Sequence, residues 1–139
     1  SMFTNIGASE QTHMDAIATL LERYTLADPA AGKAQGQFTN ATLQKLHDAL
    51  VAQGGASYAA ALAVGAEIEE LDIHDIEAAR LSVSHTDILT TYDNLTRGSR
   101  NHLRAFYGKL QGVGVTCTPK HLDAAEFQTI VTSPMEKGP

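Results

Sequence analysis

The chain has 139 residues, 43% of them hydrophobic and 19% charged, enough apolar material for one folded domain and too little polarity for a disordered one. Ten Lys plus Arg against 16 Asp plus Glu give a net charge of −6, the reverse of the balance carried by a protein that neutralises nucleic-acid phosphates. A single Cys excludes an intrachain disulfide and any multi-cysteine zinc or iron–sulfur site, and no apolar run reaches the ~18–20 residues of a membrane-spanning helix.

Ser1-Met2 reads as the remnant of a cleaved tag, with the natural chain expected to extend upstream. The first predicted helix covers about 5–26, with Thr4 or Asn5 as its cap. Its inward face runs Ile6, Glu10, His13, Ile17, Leu20 and Tyr24, the alternating three- and four-residue spacing of one helix stripe. Asp28-Pro29, Gly32 and Gly36 place a loop after it. Asn40 caps a short helix over 41–53, striped by Leu43, Leu46 and Leu50 and closed by Gly54-Gly55 as a C′ glycine. Ser57 caps a long helix over 57–82, and Ser84-His85-Thr86 is the next break. Ser84 or Thr86 caps a fourth helix over 87–111, ended by Gly112 and Gly114. Val115 to Thr118 reads as extended, and Asp123 to Glu126 opens a short last helix within 121–131 in the manner of a capping box.

The expectation is therefore an all-α domain over 3–132, with three long helices, two short ones and a loose tail over 133–139. Roughly 30 residues separate the first two long helices, which suits a crossover along a bundle better than a tight antiparallel turn.

The apolar stripes turn polar at matching depths. Glu10 and His13 share one face of the first helix among Ile6, Ile17 and Leu20. On the third helix Glu69 and Asp72 fall on the stripe of Leu62, Gly65, Ile76 and Ala79, with Glu70 as the neighbouring alternative acid. On the fourth, His102 lies among Ile88, Leu95, Phe106 and Leu110, and Ser99 holds the position three residues before it. Glu-x-x-His on an inward face is the motif of carboxylate-bridged metal bundles, because one helix turn then offers a carboxylate and an imidazole to the same cation. The competing reading is a set of core acids and histidines bonded only to each other, since unpaired carboxylates inside a bundle are costly. His47, His74, His85 and His121 lie off the stripes and read as surface residues. Cys117 reads as a bystander thiol, and Tyr92 as core packing in preference to an electron donor.

Three segments carry a resemblance: Phe3 to Asp15, Val64 to Ile73, and Gly98 to Phe106. With the linker from Arg23 to Pro29 and the tail from Phe127 to Glu136, they resemble an uncharacterised prokaryotic ferritin-like family, the domain-of-unknown-function 2202 family. The resemblance implies a ferritin-like helical bundle and covers nearly the whole chain. It also implies that a first bundle helix, with a metal carboxylate of its own, would precede Phe3, and that Ser99 stands where a second Glu-x-x-His would have Glu. By motif position Glu10 and His13 match the second-helix pair, Glu69 or Glu70 the third-helix acid, and His102 the fourth-helix histidine.

Two classes of function follow. One is a metal-binding protein, with iron or manganese expected before zinc because hard carboxylates and one or two imidazoles suit those ions, and with oxygen- or peroxide-linked redox chemistry of di-iron type, or metal handling, as its activity. Its ligands would come from Glu10, His13, Glu69, Glu70, Asp72 and His102. The other is a non-catalytic helical module for assembly. A homodimer is expected, closing the groove that an absent helix would leave, and no nucleic-acid partner is expected. The sequence leaves the compartment open between the prokaryotic cytoplasm and, where an upstream signal has been removed, the periplasm or exterior.

Overall fold

The structure, a computed structural model, describes residues 1–138. Five helices follow one another: α1 (Met2–Arg23), α2 (Ala41–Gly54), α3 (Tyr58–Arg80), α4 (Thr86–Gly112) and α5 (Ala124–Thr132). No strand occurs among the described residues, and Val115–Thr118 is irregular. The all-α expectation holds, with each helix close to its predicted place.

Several termini differ, each for a local reason. The cap of α1 is Ser1, not Thr4 or Asn5, because the Ser1 hydroxyl accepts the Thr4 backbone N–H at 3.3 Å. That helix stops at Arg23, short of residue 26, in a Schellman closure. The N–H of Leu26 reaches the Leu21 carbonyl at 2.8 Å and that of Thr25 reaches Glu22 at 3.0 Å. Thr25 takes a left-handed φ of 56° at the position glycine usually fills. Gly55 is not a left-handed C′ glycine: its φ is −68°, because the chain keeps a right-handed turn before Ser57 extends. The N-cap of α4 is His85, without a side-chain cap bond, in place of Ser84 or Thr86. Asn40, Ser57 and Asp123 cap as expected.

The core lies where α3, α4 and α5 meet. Leu62, Ala66 and Ile73 from α3 pack with Leu103, Phe106 and Leu110 from α4 and with Phe127 and Ile130 from α5. Gly65 sets the α3–α4 distance, since a Cβ there would stand 2.3 Å from the Phe106 ring. On the outside α2 packs against α3.

α1 is held differently. Its backbone approaches only α4, and among the described residues no Cα of α1 comes within 8 Å of one in α3, although the Phe3 ring meets Tyr58 of α3 edge-on at 6.3 Å between centroids and Met2 and Ile6 touch the core. Leu20 is its one buried residue. Its ends are pinned by side chains: Phe3 against Phe106 at 5.8 Å between ring centroids, and Arg23 and Tyr24 donating to Asp87 at 2.6 and 2.8 Å. The space left between α1 and α3 is an open groove of about 520 Å³.

Residues 133–138 have no regular secondary structure, yet they are tied to α4, in contrast to the loose tail expected. Arg100 donates twice to the Glu136 carboxylate, at 2.7 and 2.6 Å, and Arg104 once at 2.8 Å. Asn101 exchanges two further bonds with the Glu136 backbone.

The close α3–α4 approach gives a direct test. Gly65→Ala must displace the Phe106 ring, which is 3% exposed and packed within the core cluster. Overpacking of this kind costs about 1–3 kcal/mol, so urea unfolding is expected to show that loss although Ala is the better helix former.

Candidate metal centre

Glu10 (α1), Glu69 (α3) and His102 (α4) meet where the three helix stripes turn polar. Each offers one ligand atom, and the three atoms lie within 4.8 Å of one another. His102 Nδ1 is 2.9 Å from Glu10 Oε1 and 3.4 Å from Glu69 Oε1. Glu69 is 2% exposed, and the His102 side chain 13%.

The 2.9 Å contact is close in distance but off the hydrogen-bond axis. Glu10 Oε1 and His102 Nδ1 are both buried and have no hydrogen-bond partner among the described residues, and Glu69 Oε2 and Ser99 Oγ are in the same position. Buried polar atoms are nearly always satisfied. Donor atoms that crowd together without pairing are arranged like ligands around a common point. Adjacent vertices of an octahedron with ~2.1 Å bonds stand roughly 3 Å apart, so separations of 2.9 and 3.4 Å fit the donor set of a hard cation.

His13 stands beside this triad. Its Nδ1 hydrogen-bonds Glu10 Oε2 at 3.2 Å, and its ring lies 5.9 Å from that of His102. It orients the carboxylate from behind, as outer partners of metal ligands commonly do. Asp72 lines the groove together with Glu10, His13 and Ser99 and stays outside the triad. Glu70 is elsewhere altogether. Its Oε2 accepts the backbone N–H groups of Lys120, His121 and Leu122 at 2.7, 2.9 and 3.3 Å. It anchors the loop before α5 and is not brought to the site.

The charges are strongly coupled. Burial acts on Glu10 toward a higher pKa, but the nearness of His102 and His13 outweighs it and holds the carboxyl at about 2. Burial acts on His102 toward a lower pKa, and Glu10 and Glu69 reverse it, raising the imidazole to about 9. Burial lifts Glu69, with Glu10 adding to the effect. Burial first, then Glu69 and Glu10, push Asp72 up to about 7.

Gly98, one turn before His102, escapes a reading based on ligand types. A Cβ there would stand 2.6 Å from His13 Cε1. The one signal in the sequence is a glycine in the interior of a predicted helix, where it is a poor helix former. Tyr92 lines the groove. His74 and His85 are exposed as expected, while His47 and His121 are half-buried.

The chain belongs to the uncharacterised protein domain family DUF2202, whose model matches residues 1–134. It is similar to the uncharacterised protein MJ0754 of Methanocaldococcus jannaschii, with 43% identity over 137 residues, covering 99% of this chain and 74% of the relative. The crystal structure of hypothetical protein MJ0754 superposes with a TM-score of 0.94, covering 97% of this chain and 77% of that one.

The pKa pattern fixes a pH dependence for chelator-treated protein. With a folded pKa above its ordinary 6.5, His102 stabilises fully below that value, and the contribution is lost as pH rises through about 9. Asp72, raised from 3.8 to about 7, also favours the folded state less as pH rises through that window. Glu10 opposes them only below 4.5. The melting temperature is therefore expected to fall from pH 5 to pH 9, and His102→Gln to flatten the alkaline part of that slope. A curve that rises across this range would contradict the ion cluster.

Proposed function

We propose that this DUF2202 member is a metal-binding protein in which Glu10, Glu69 and His102 hold one divalent ion and His13 supports Glu10. The observation that carries the reading is the convergence of Glu10, Glu69 and His102 within 4.8 Å, with Glu10 Oε1, His102 Nδ1 and one Glu69 oxygen, Oε2, buried and without hydrogen-bond partners. Two carboxylates and one imidazole favour iron or manganese over zinc. Three protein ligands would leave coordination positions open, and the groove lined by Glu10, His13, Asp72 and Ser99 runs beside the centre. Bound iron or manganese would supply redox chemistry toward dioxygen or peroxide, or the protein would handle the metal itself. A ferritin-like bundle is the architecture we infer for this chemistry, supported by the Glu-x-x-His pair at Glu10 and His13 on the inward face of a long helix.

A second reading has its own support. With Glu10 held at about 2 and His102 at about 9, the cluster balances charge without any metal and would act as a structural clamp between helices.

Metal analysis and titration separate the two. Protein purified without chelator is expected to carry iron or manganese, and the chelated protein to take up Mn(II) or Co(II) at one equivalent. Glu69→Gln and His102→Ala should weaken that binding by more than the ~10–100-fold that losing an outer-shell partner costs. Glu70→Gln, one residue away, should leave the affinity unchanged. No uptake by wild type, or equal uptake by Glu69→Gln, would leave the clamp as the function of the cluster.

Homodimerisation through the groove between α1 and α3 is the matching proposal for assembly. It is supported by the open apolar wall of Met14, Ile17, Leu21, Ile76 and Leu95. The lining carries Glu10, Asp28, Asp72 and Asp75 and no Lys or Arg, so pairing is expected to strengthen with divalent ions. Light scattering at micromolar concentration reads this directly, and a 14.8 kDa species with and without Mn(II) would overturn it.

A further inference from the structure

We propose that Gly98 is a positioning residue for the candidate metal centre: its missing Cβ seats the His13 ring, and the ring fixes Glu10. The functional consequence rests on the metal reading above, whereas the contact itself does not.

A Cβ built on Gly98 would lie 2.6 Å from His13 Cε1 and 2.7 Å from Nε2. The ring thus occupies the space that any other residue would fill. Its far edge carries Nδ1, 3.9 Å from that Cβ position and 3.2 Å from Glu10 Oε2. His13 is wedged between the α4 backbone on one side and the Glu10 carboxylate on the other. Two other helical glycines give the comparison: Gly7 and Gly108 have nothing within 4 Å of a built Cβ. Gly98 is therefore not simply a tolerated glycine, and helix propensity alone argues against it mid-helix.

An added methyl group at position 98 meets the far end of a side chain, so the ring moves and the α4 backbone stays. The ring then loses Glu10 Oε2. Glu10 Oε1 already lacks a hydrogen-bond partner, so the carboxylate would have neither oxygen held and would leave its place 2.9 Å from His102 Nδ1.

A double-mutant cycle of wild type, Gly98→Ala, His13→Ala and the double variant tests this. Co(II) affinity is read by absorbance, and the metal-free melting temperature by circular dichroism. Gly98→Ala is expected to weaken Co(II) binding ~10–100-fold, the usual cost of losing an outer-shell partner. His13→Ala should do the same, and the double variant should bind no worse than His13→Ala. In the melts, Gly98→Ala should raise the melting temperature in the His13→Ala background, where helix propensity acts unopposed, and fail to raise it in wild type. Additive effects in both measurements would overturn the proposal. If wild type binds no Co(II), the metal reading fails separately and the melts decide: unequal shifts in the two backgrounds support the Gly98–His13 contact, and equal shifts overturn it.

Discussion

A carboxylate that is 2% exposed inside a helical bundle cannot stay ionised without compensation, because the desolvation cost of an isolated buried charge is several kcal/mol even after relaxation. Glu69 is in that position on α3. What surrounds it decides how three helices are arranged. His102 comes to it from α4, and Glu10 comes to His102 from α1. Since the α1 backbone comes close to that of α4 and not to that of α3, this cluster is where the middle of α1 meets α3, while Phe3 meets Tyr58 at the helix start. A cation bound there would join all three helices through short bonds, and without one the imidazolium performs the same task through charge.

Glu70 shows what a fully compensated buried carboxylate looks like in the same helix. It is 1% exposed, and three successive backbone N–H groups converge on one of its oxygens. Such bonds to the charged form are strong and leave little to be satisfied by other means. Glu69 has nothing comparable: one oxygen lies 3.4 Å from an imidazole and the other has no partner. Neighbours in sequence and equal in burial, the two acids differ in the supply of donors. That contrast, more than the number of acids present, marks Glu69 as a ligand candidate and Glu70 as a loop anchor.

Much of this was legible from residue spacing. Glu10, His13 and His102 each fell on an apolar stripe, and a stripe that turns polar at one level predicts convergence whatever the loops do. The choice between Glu69 and Glu70 stayed open because adjacent helix positions are about 100° apart, and both directions proved to be buried, one toward α4 and one toward the loop before α5. Long-range partners of that loop cannot be read from local pattern. The same holds for the tail, where Glu136 finds Arg100 and Arg104 more than 30 residues earlier. Caps erred where the backbone could close without the expected side chain, as at His85 and Gly55.

The attachment of α1 bears on how the site could work. Its contacts with α4 lie at three levels: Phe3 on Phe106 near the start, Glu10 and His13 near His102 in the middle, and Arg23 and Tyr24 on Asp87 at the end. The end contacts are aromatic or partly exposed polar pairs, and exposed pairs contribute only about 0–1 kcal/mol. With one buried residue and only Met2 and Ile6 packed against the core at its start, α1 has a much thinner apolar seam than the one that fixes α3 against α4. Its middle is thus held chiefly by the chemistry of the cluster, so protonation, metal binding or the loss of His13 would act first on α1 and on the width of the groove beside it. The rigid half of the site, Glu69 and His102, sits on the α3–α4 pair closed by Gly65 and Phe106. The responsive half, Glu10 and His13, sits on the helix that the cluster itself holds in place.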